Sequence, residues 1–378
     1  MDQDESGDDM MKLKKILRAV HSALPLFAEI ALVLCALCGI LHAIICVNPT
    51  FADWFNGTGS AFFRAVLGYI TLIFPFSLAE TMIISIPVWA AVLCVVLLRR
   101  SKRSRMTSVR CVTGLLSAVT LFYSSFVLTF VAGYHGSTLE QRLGLERKPV
   151  SAEQLETTAE ALLRLAEREL DDITFAYNSS SAMPYSIRDM AGRVSDAYVT
   201  ASDRYSFIPR LHTKTKSIAL SVPMTYTHIS GVYTFFTGEA NININFPDYT
   251  LPYTAAHELS HQRGIAREDE ANFMAFLVCE QSDDPYIRYS GYLNLFEYVM
   301  NALYSANRDK YNTVYASADS RIRGEMRAYS EFYRDYAHSV AGKVSSTVNN
   351  AFLKSQGQTE GTRSYGRVVD LAVAYFGA

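Results

Sequence analysis

Charge is scarce and unevenly placed. Only 19% of the 378 residues are charged, and three stretches, 30–49, 81–98 and 111–134, contain no Lys, Arg, Asp or Glu. Cysteine is scarce as well. Six in a chain of this length exclude a disulfide scaffold. Five of them precede Gly133, so the remainder, which holds only Cys279, can form no internal disulfide. A basic excess is absent too: the formal net charge is −2, which argues against nucleic acid as a partner. The low charge and a mean hydropathy of +0.08 exclude a disordered chain. There is no internal repeat and no long low-complexity tract. What remains is enough apolar material, 49% of the residues, for two or three folding units.

The charge-free stretches are the first clue to organisation. A helix needs roughly 20 largely apolar residues to cross the hydrocarbon core. The sequence therefore predicts a three-helix anchor over 23–134, with spans near 24–48, 80–98 and 111–134. The first is too long, and lacks the cleavage pattern, for a signal peptide. A fourth apolar stretch, 65–79, is shorter and interrupted by Pro75. Positive charge decides against counting it. Lys12, Lys14, Lys15 and Arg18 precede the first span, and Arg99, Arg100, Lys102, Arg103, Arg105 and Arg110 precede the last. With three spans both clusters face the cytoplasm. Residues 60–79 are then an interfacial or re-entrant segment, 1–22 is cytoplasmic, and 135–378 is an extracytoplasmic domain at the surface of the lipid bilayer. Glu29, His42 and Glu80 lie near span ends, where snorkelling or helix pairing explains them better than an ion pathway.

The larger part reads as α+β, mainly helical with a small antiparallel sheet. Ser151 with Gln154 three residues on is a capping box opening a helix to about residue 171. Residues 176–184 are loop by composition, and 187–201 form a second helix. The period then changes. Residues 217–222, 227–235 and 239–246 are rich in β-branched and aromatic side chains. In the last, Asn241, Asn243 and Asn245 alternate with Ile242 and Ile244, placing amides on one strand face. Beyond Pro252 the pattern is helical.

One constellation carries chemistry. Residues 257–261 read His-Glu-Leu-Ser-His, an HExxH match. On a helix, positions i and i+4 share a face, so His257 and His261 can both address one metal ion, Zn²⁺ by preference. Glu258, one step round, can reach a water beside the metal and take its proton as general base. With 8 His in the chain, a chance match is expected on the order of once per hundred such chains. The plain alternative is an amphipathic helix with two core or solvated histidines. The following residues shift the balance. Gly264 can end the helix in a left-handed turn and send the chain back. Glu268, Asp269 and Glu270 then open another helix. A catalytic zinc needs three protein ligands. Glu268 is the choice for the third and Glu270 the reserve. Asn272, one turn beyond Glu268, is placed to hold a ligand histidine from behind. Acids at a helix N-terminus also simply meet the macrodipole.

This segment resembles the HExxH zinc metallopeptidases whose third ligand is a Glu in a downstream Glu-x-x-Ala-(Asp/Asn) helix. Glu268, Ala271 and Asn272 match, with Asn for the usual Asp. The metzincin layout is excluded, because Arg267 stands where its third ligand belongs. A longer resemblance covers nearly the whole chain. Three spans, "PFSLAE", "FTGEANININ", "LPYTAAHELSHQRGIAREDEANF" and "YSGYL" together resemble an uncharacterised family of bacterial membrane proteins, known as a domain of unknown function. The resemblance implies a zincin-like fold in the extracytoplasmic domain. In zincin-like enzymes a strand ahead of the HExxH helix binds extended peptide, which makes Asn241 and Asn243 candidate substrate contacts beside the plain reading of a solvated strand face. Tyr289 and Tyr292, with Arg288, are candidate oxyanion donors, packing being the commoner role of any one of 23 tyrosines. His212, His228 and Cys279 read as structural. The expected function is a membrane-anchored zinc metalloprotease acting on a peptide or protein at the outer membrane surface. The alternatives are a cell-wall peptide amidase on the same site and a non-catalytic, zinc-containing binding or assembly protein.

Overall fold

The structure is a computed structural model and describes residues 25–101, 105–176, 180–358 and 367–377. The expected cytoplasmic segment 1–22, with its basic cluster, lies outside these residues, as do Lys102, Arg103 and the centre of the expected loop at 176–184.

Among the described residues three helices are long and apolar enough to cross a membrane: Leu26–Val47, Leu78–Val96 and Val112–His135. The first is α1 (Leu26–Val47). After a short helix, Pro49–Phe55, and a π-turn, Asn56–Ser60, comes α2 (Ala61–Leu72). The helical run 49–72 is long enough to cross, but it carries Asp53, Arg64 and the polar turn Asn56–Ser60 and is not among the helices apolar enough to do so. The second span opens α3 (Leu78–Ser101). The third is α4 (Arg105–Phe126), continued through a π-turn, Val127–Val131, into α5 (Ala132–His135). α1 packs along the third span, with Cys38 against Ser124 and Cys46 against His135.

The second part is a helical body with one small sheet. α6 (Ala152–Glu169) starts at the expected capping box of Ser151 and Gln154. α7 (Ile187–Arg204) follows. The sheet has β1 (Lys216–Ser217), β2 (Gly231–Thr234) and β3 (Glu239–Ile242) in the order β1-β3-β2. It is mixed: β2 pairs antiparallel with β3, but β1 pairs parallel to it. The strands are also shorter than their β-rich composition predicts. Residues Ser221–Thr225 turn into a helix, because the Glu80 carboxylate accepts the Ala219 and Leu220 N–H groups and draws the chain out of the sheet.

Then come α8 (Thr250–Gln262), α9 (Glu268–Glu280), α10 (Pro285–Ala306) and, after two further helices, Arg308–Ser317 and Ser320–Arg334, α11 (Val340–Ser355) and α12 (Val368–Phe376). α9 is buried along 269–279: its run 273–279 is apolar all round, Asp269 and Glu270 are paired with Arg147 and Arg267, and the helix packs against both α8 and α10. Phe273, Phe276, Leu293 and Phe296 are fully buried there, each worth about 1.5–3 kcal/mol of transfer free energy. The HExxH helix and the helix after it are thus the centre of the core.

The spans and the helical body interlock. Glu239 on β3 is buried and accepts the Leu78 and Ala79 N–H groups at 3.0 and 2.8 Å, capping α3 at its positive end. Lys216 Nζ neutralises it at 2.6 Å. Phe235, at the β2–β3 turn, seats its ring 4.8 Å from Phe122 and 5.1 Å from Phe126 of the third span. Arg64 of α2 is fully buried. It donates to Asn56 Oδ1, Asn56 O and Thr129 O, and burial pulls its guanidinium down to about 10.

Candidate metal centre

α8 ends as its sequence predicts. Gly264 has φ +92°, a left-handed conformation that a side chain resists, and its N–H donates back to His261 O at 3.0 Å. The turn is held from the anchor side: Asn56 Nδ2 donates to Gly264 O at 3.0 Å, and a Cβ on Gly264 would meet Arg64 Nη2 at 2.5 Å. The returning chain does two things. Ile265 O accepts the His261 Nδ1 proton at 2.8 Å, which fixes the ring and leaves its Nε2 lone pair free. Arg267 then donates to Tyr134 O and Gly136 O, at 2.8 and 3.1 Å, and sets the start of α9.

Glu268, the first residue of α9, comes to the two histidines. Its Oε2 lies 3.2 Å from His257 Nε2 and 3.6 Å from His261 Nε2, and the two Nε2 atoms are 3.1 Å apart. A tetrahedral Zn²⁺ with bonds of about 2.0–2.1 Å separates its ligand atoms by about 3.3–3.4 Å. The three donors therefore fit one ion. Glu270, the reserve candidate, is not among them. It is buried on another side of α9 in an ion pair with Arg267 Nη1 at 2.9 Å.

Electrostatics match the geometry. Burial opposes charge on Glu268, but His261 and His257 outweigh it and hold its carboxyl well below the usual carboxylate range. Burial also opposes charge on His261, yet Glu268 beside it pushes the imidazole up to about 9. Glu258 behaves in the opposite way. Burial pushes its carboxyl up to about 7, against the lowering effect of the two histidines. Glu258 is 4% exposed and its Oε2 has no hydrogen-bond partner among the described residues, nor has His257 Nδ1. An unpaired buried carboxylate oxygen is costly and is retained where chemistry needs it.

These groups face a cavity of about 1000 Å³. One wall is β2 with the turn before it, residues 227–233. It is an edge strand, and it touches the site directly, since a Cβ on Gly231 would fall 2.5 Å from Glu258 Oε1. Asn294, Glu297, Tyr298 and Asn301 of α10 form the second wall. Ser345, Val348, Asn349 and Phe352 of α11 form the third.

Several expected contacts are not brought here. β3 is the central strand, so it cannot take on a further strand. Asn241 is buried, its Nδ2 directed at Val232 O and Glu239 O, 3.5 and 3.4 Å away. Asn243 donates to Thr225 Oγ1 and Ile229 O, both at 3.1 Å. Tyr289 is buried against Glu325, and Tyr292 packs on Phe276. Asn272 does line the cavity, but its Nδ2 has no hydrogen-bond partner among the described residues, so it does not hold a histidine from behind. His212 and Cys279 stay outside the cavity, while His228 lies on its rim, bound to Tyr336 O at 2.8 Å.

Sequence reasoning missed the α10 wall, although a signal was present. Asn294, Glu297, Tyr298 and Asn301 recur three and four apart along a helix that is otherwise apolar, on the face opposite Tyr289 and Tyr292. The α11 wall has no such signal.

No curated protein and no solved structure matches the chain. One family model does, over residues 60–373, from α2 through the candidate metal centre and into α12. The chain belongs to that family, DUF3810, described as a protein of unknown function.

Proposed function

We propose that the chain is a membrane-anchored zinc metallopeptidase. The observation that carries this reading is the set of three donor separations, 3.1, 3.2 and 3.6 Å, beside a buried, unpaired Glu258 oxygen. Zn²⁺ held by His257, His261 and Glu268 would supply Lewis acidity, making a water nucleophilic near neutral pH and polarising the scissile carbonyl. The protein's own residues do the rest. Glu258 takes the proton of the attacking water and returns it to the leaving amine, a role that suits a carboxyl poised near 7. His261 is kept in register by Ile265 O. β2, an edge strand, is where an extended peptide would pair, and backbone pairing there would lay the scissile bond beside Glu258. Of the tyrosines that line the cavity, Tyr298, close enough to Glu268 to feel its charge, is our choice of donor to the developing oxyanion.

The site's depth narrows the substrate. The Phe130 ring packs 5.8 Å from the His261 ring, and Phe130 lies five residues before the end of the third span, about 7 Å along a helix. With the basic clusters inside, the cavity sits at the outer surface of the bilayer, and the bonds it reaches are those of proteins or peptides held close to the membrane.

The test uses the full chain in detergent micelles and a library of quenched-fluorescent extended peptides. Glu258→Gln keeps the zinc and lowers hydrolysis by about 10²–10⁴-fold, the usual worth of a general base. Turnover that survives this substitution overturns the reading.

A further inference from the structure

A second cluster of metal-ligating side chains lies away from the cavity, among the span ends. His42 and Cys46 are one turn apart on α1 and share a face. His135, the last residue of α5, meets them from the third span. Cys46 Sγ lies 3.6 Å from His135 Nε2, and one donor atom from each of the three residues falls within 4.8 Å of the others. A tetrahedral ion with bonds of about 2.3 Å to sulfur and about 2.0–2.1 Å to nitrogen separates those two atoms by about 3.5–3.6 Å. His42 Nδ1 is 2.9 Å from Tyr123 Oη, a hydrogen bond that orients the ring and leaves Nε2 for an ion.

We propose that His42, Cys46 and His135 form a second metal site, taking a borderline-soft transition-metal ion of the Zn²⁺ type. The donor set selects the class. One thiolate and two imidazoles suit Zn²⁺ and its spectroscopic substitute Co²⁺, and the cluster has no carboxylate for Ca²⁺ or Mg²⁺. Binding releases the Cys46 proton to solvent, because the thiolate is the ligand. Cys46 is exposed, so an ion can arrive from outside and the fourth position stays open. The ion staples the first span to the third. It also stiffens the segment on which Arg267 hangs, since Tyr134 O and Gly136 O, flanking His135, accept from that guanidinium. Arg267 immediately precedes Glu268.

The cavity cluster contains no sulfur, which separates the two sites spectroscopically. The experiment titrates the full chain, stripped of metal in detergent micelles, with Co²⁺. A thiolate-to-Co²⁺ charge-transfer band in the near ultraviolet is expected, with the amplitude of one thiolate-bound ion per chain, while the cavity cluster takes up a further ion without adding to it. The band persists in Glu268→Ala and in Cys38→Ser and disappears in Cys46→Ser. His42→Gln and His135→Gln weaken Co²⁺ binding at this band at least about tenfold, as loss of one ligand requires. An unchanged gel-filtration profile reports that each variant is folded. In the Glu268→Ala background, Zn²⁺ raises the melting temperature, and adding Cys46→Ser removes that gain. A wild-type chain without the band overturns the site. So does a band that survives Cys46→Ser, or one indifferent to both histidine substitutions. None of these outcomes depends on peptide hydrolysis, so they leave the metallopeptidase reading to its own test.

Discussion

Two clusters in this molecule share a plan. Each has an i, i+4 pair on one helix and a third donor from another: His257, His261 and Glu268 in the core, His42, Cys46 and His135 at the span ends. They differ in what surrounds the donors. The core cluster has a fourth group, Glu258, buried, with one carboxylate oxygen unpartnered among the described residues and in contact with an edge strand, and it opens on a cavity of about 1000 Å³. The span-end donor set includes no carboxylate, and its sulfur is exposed. Three donors make a place for an ion. A base and a walled space for a substrate are what add chemistry, and only the core cluster has them.

The sharpest way to break the comparison is to remove a donor from the core. Glu268→Ala is expected to abolish tight zinc binding in the cavity, with a loss of at least about 10²-fold, since even outer-shell partners are worth 10–100-fold. Glu270→Ala is expected to leave it intact. Glu270 is paired with Arg267 and is absent from the donor set, so its loss acts on the start of α9 and not on the ion. Metal content of the two variants, measured beside wild type, checks this. Zinc lost from Glu270→Ala but kept by Glu268→Ala would reverse the ligand assignment.

Much of the core cluster was legible in the sequence, because local rules governed it. HExxH places two imidazoles by helical period alone. Gly264 marks the turn, and the next carboxylate on the returning chain is Glu268. The three long apolar helices were legible from 30–49, 81–98 and 111–134, where hydropathy is the whole signal. The partners of Gly264 were not. Asn56 and Arg64 stand some two hundred residues earlier, and no pattern ties a buried arginine to a distant glycine turn. The strands were overread for a similar reason. Composition called for strand at 217–222, and the Glu80 carboxylate, from a span, ended it after Ser217. Asn241 and Asn243 alternate as a solvated face would, yet both faces of β3 are buried and the amides satisfy backbone carbonyls.

A smaller change separates the base from the ion. In Gly231→Ala the new methyl group would sit 2.5 Å from Glu258 Oε1 and 2.7 Å from its Cγ, so the carboxylate must move while the three donors need not. A displacement of about 1 Å in a catalytic group can cost about 10²-fold. The expected outcome is kcat lowered by about 10–100-fold with zinc stoichiometry and affinity unchanged. Loss of zinc together with activity would mean that β2 supports the whole cluster and not the base alone.

The smallest effect expected is on stability, and it concerns the cavity wall. Glu297 accepts from Tyr249 Oη at 3.0 Å, and burial pushes its carboxyl from 4.5 up to about 8. A raised carboxyl pKa means that the folded chain keeps a proton the unfolded chain has already released. Between those two values the unfolded state binds fewer protons, so raising the pH favours unfolding. The contribution is complete below about 4.5 and is lost as the pH climbs through about 8. Thermal unfolding of the detergent-solubilised chain is therefore expected to weaken from pH 5 to pH 8. Glu297→Gln retains an acceptor for Tyr249 without the titration, so its melting temperature should fall less over that range. The slope is reduced and not abolished, because Glu325, raised by burial to about 7, titrates in the same direction. Cys46→Ser replaces neither of these carboxyls, so it should leave this slope as it stands in wild type. An unchanged slope in Glu297→Gln would place the dependence elsewhere. A changed one in Cys46→Ser would show that the two clusters are coupled through the third span.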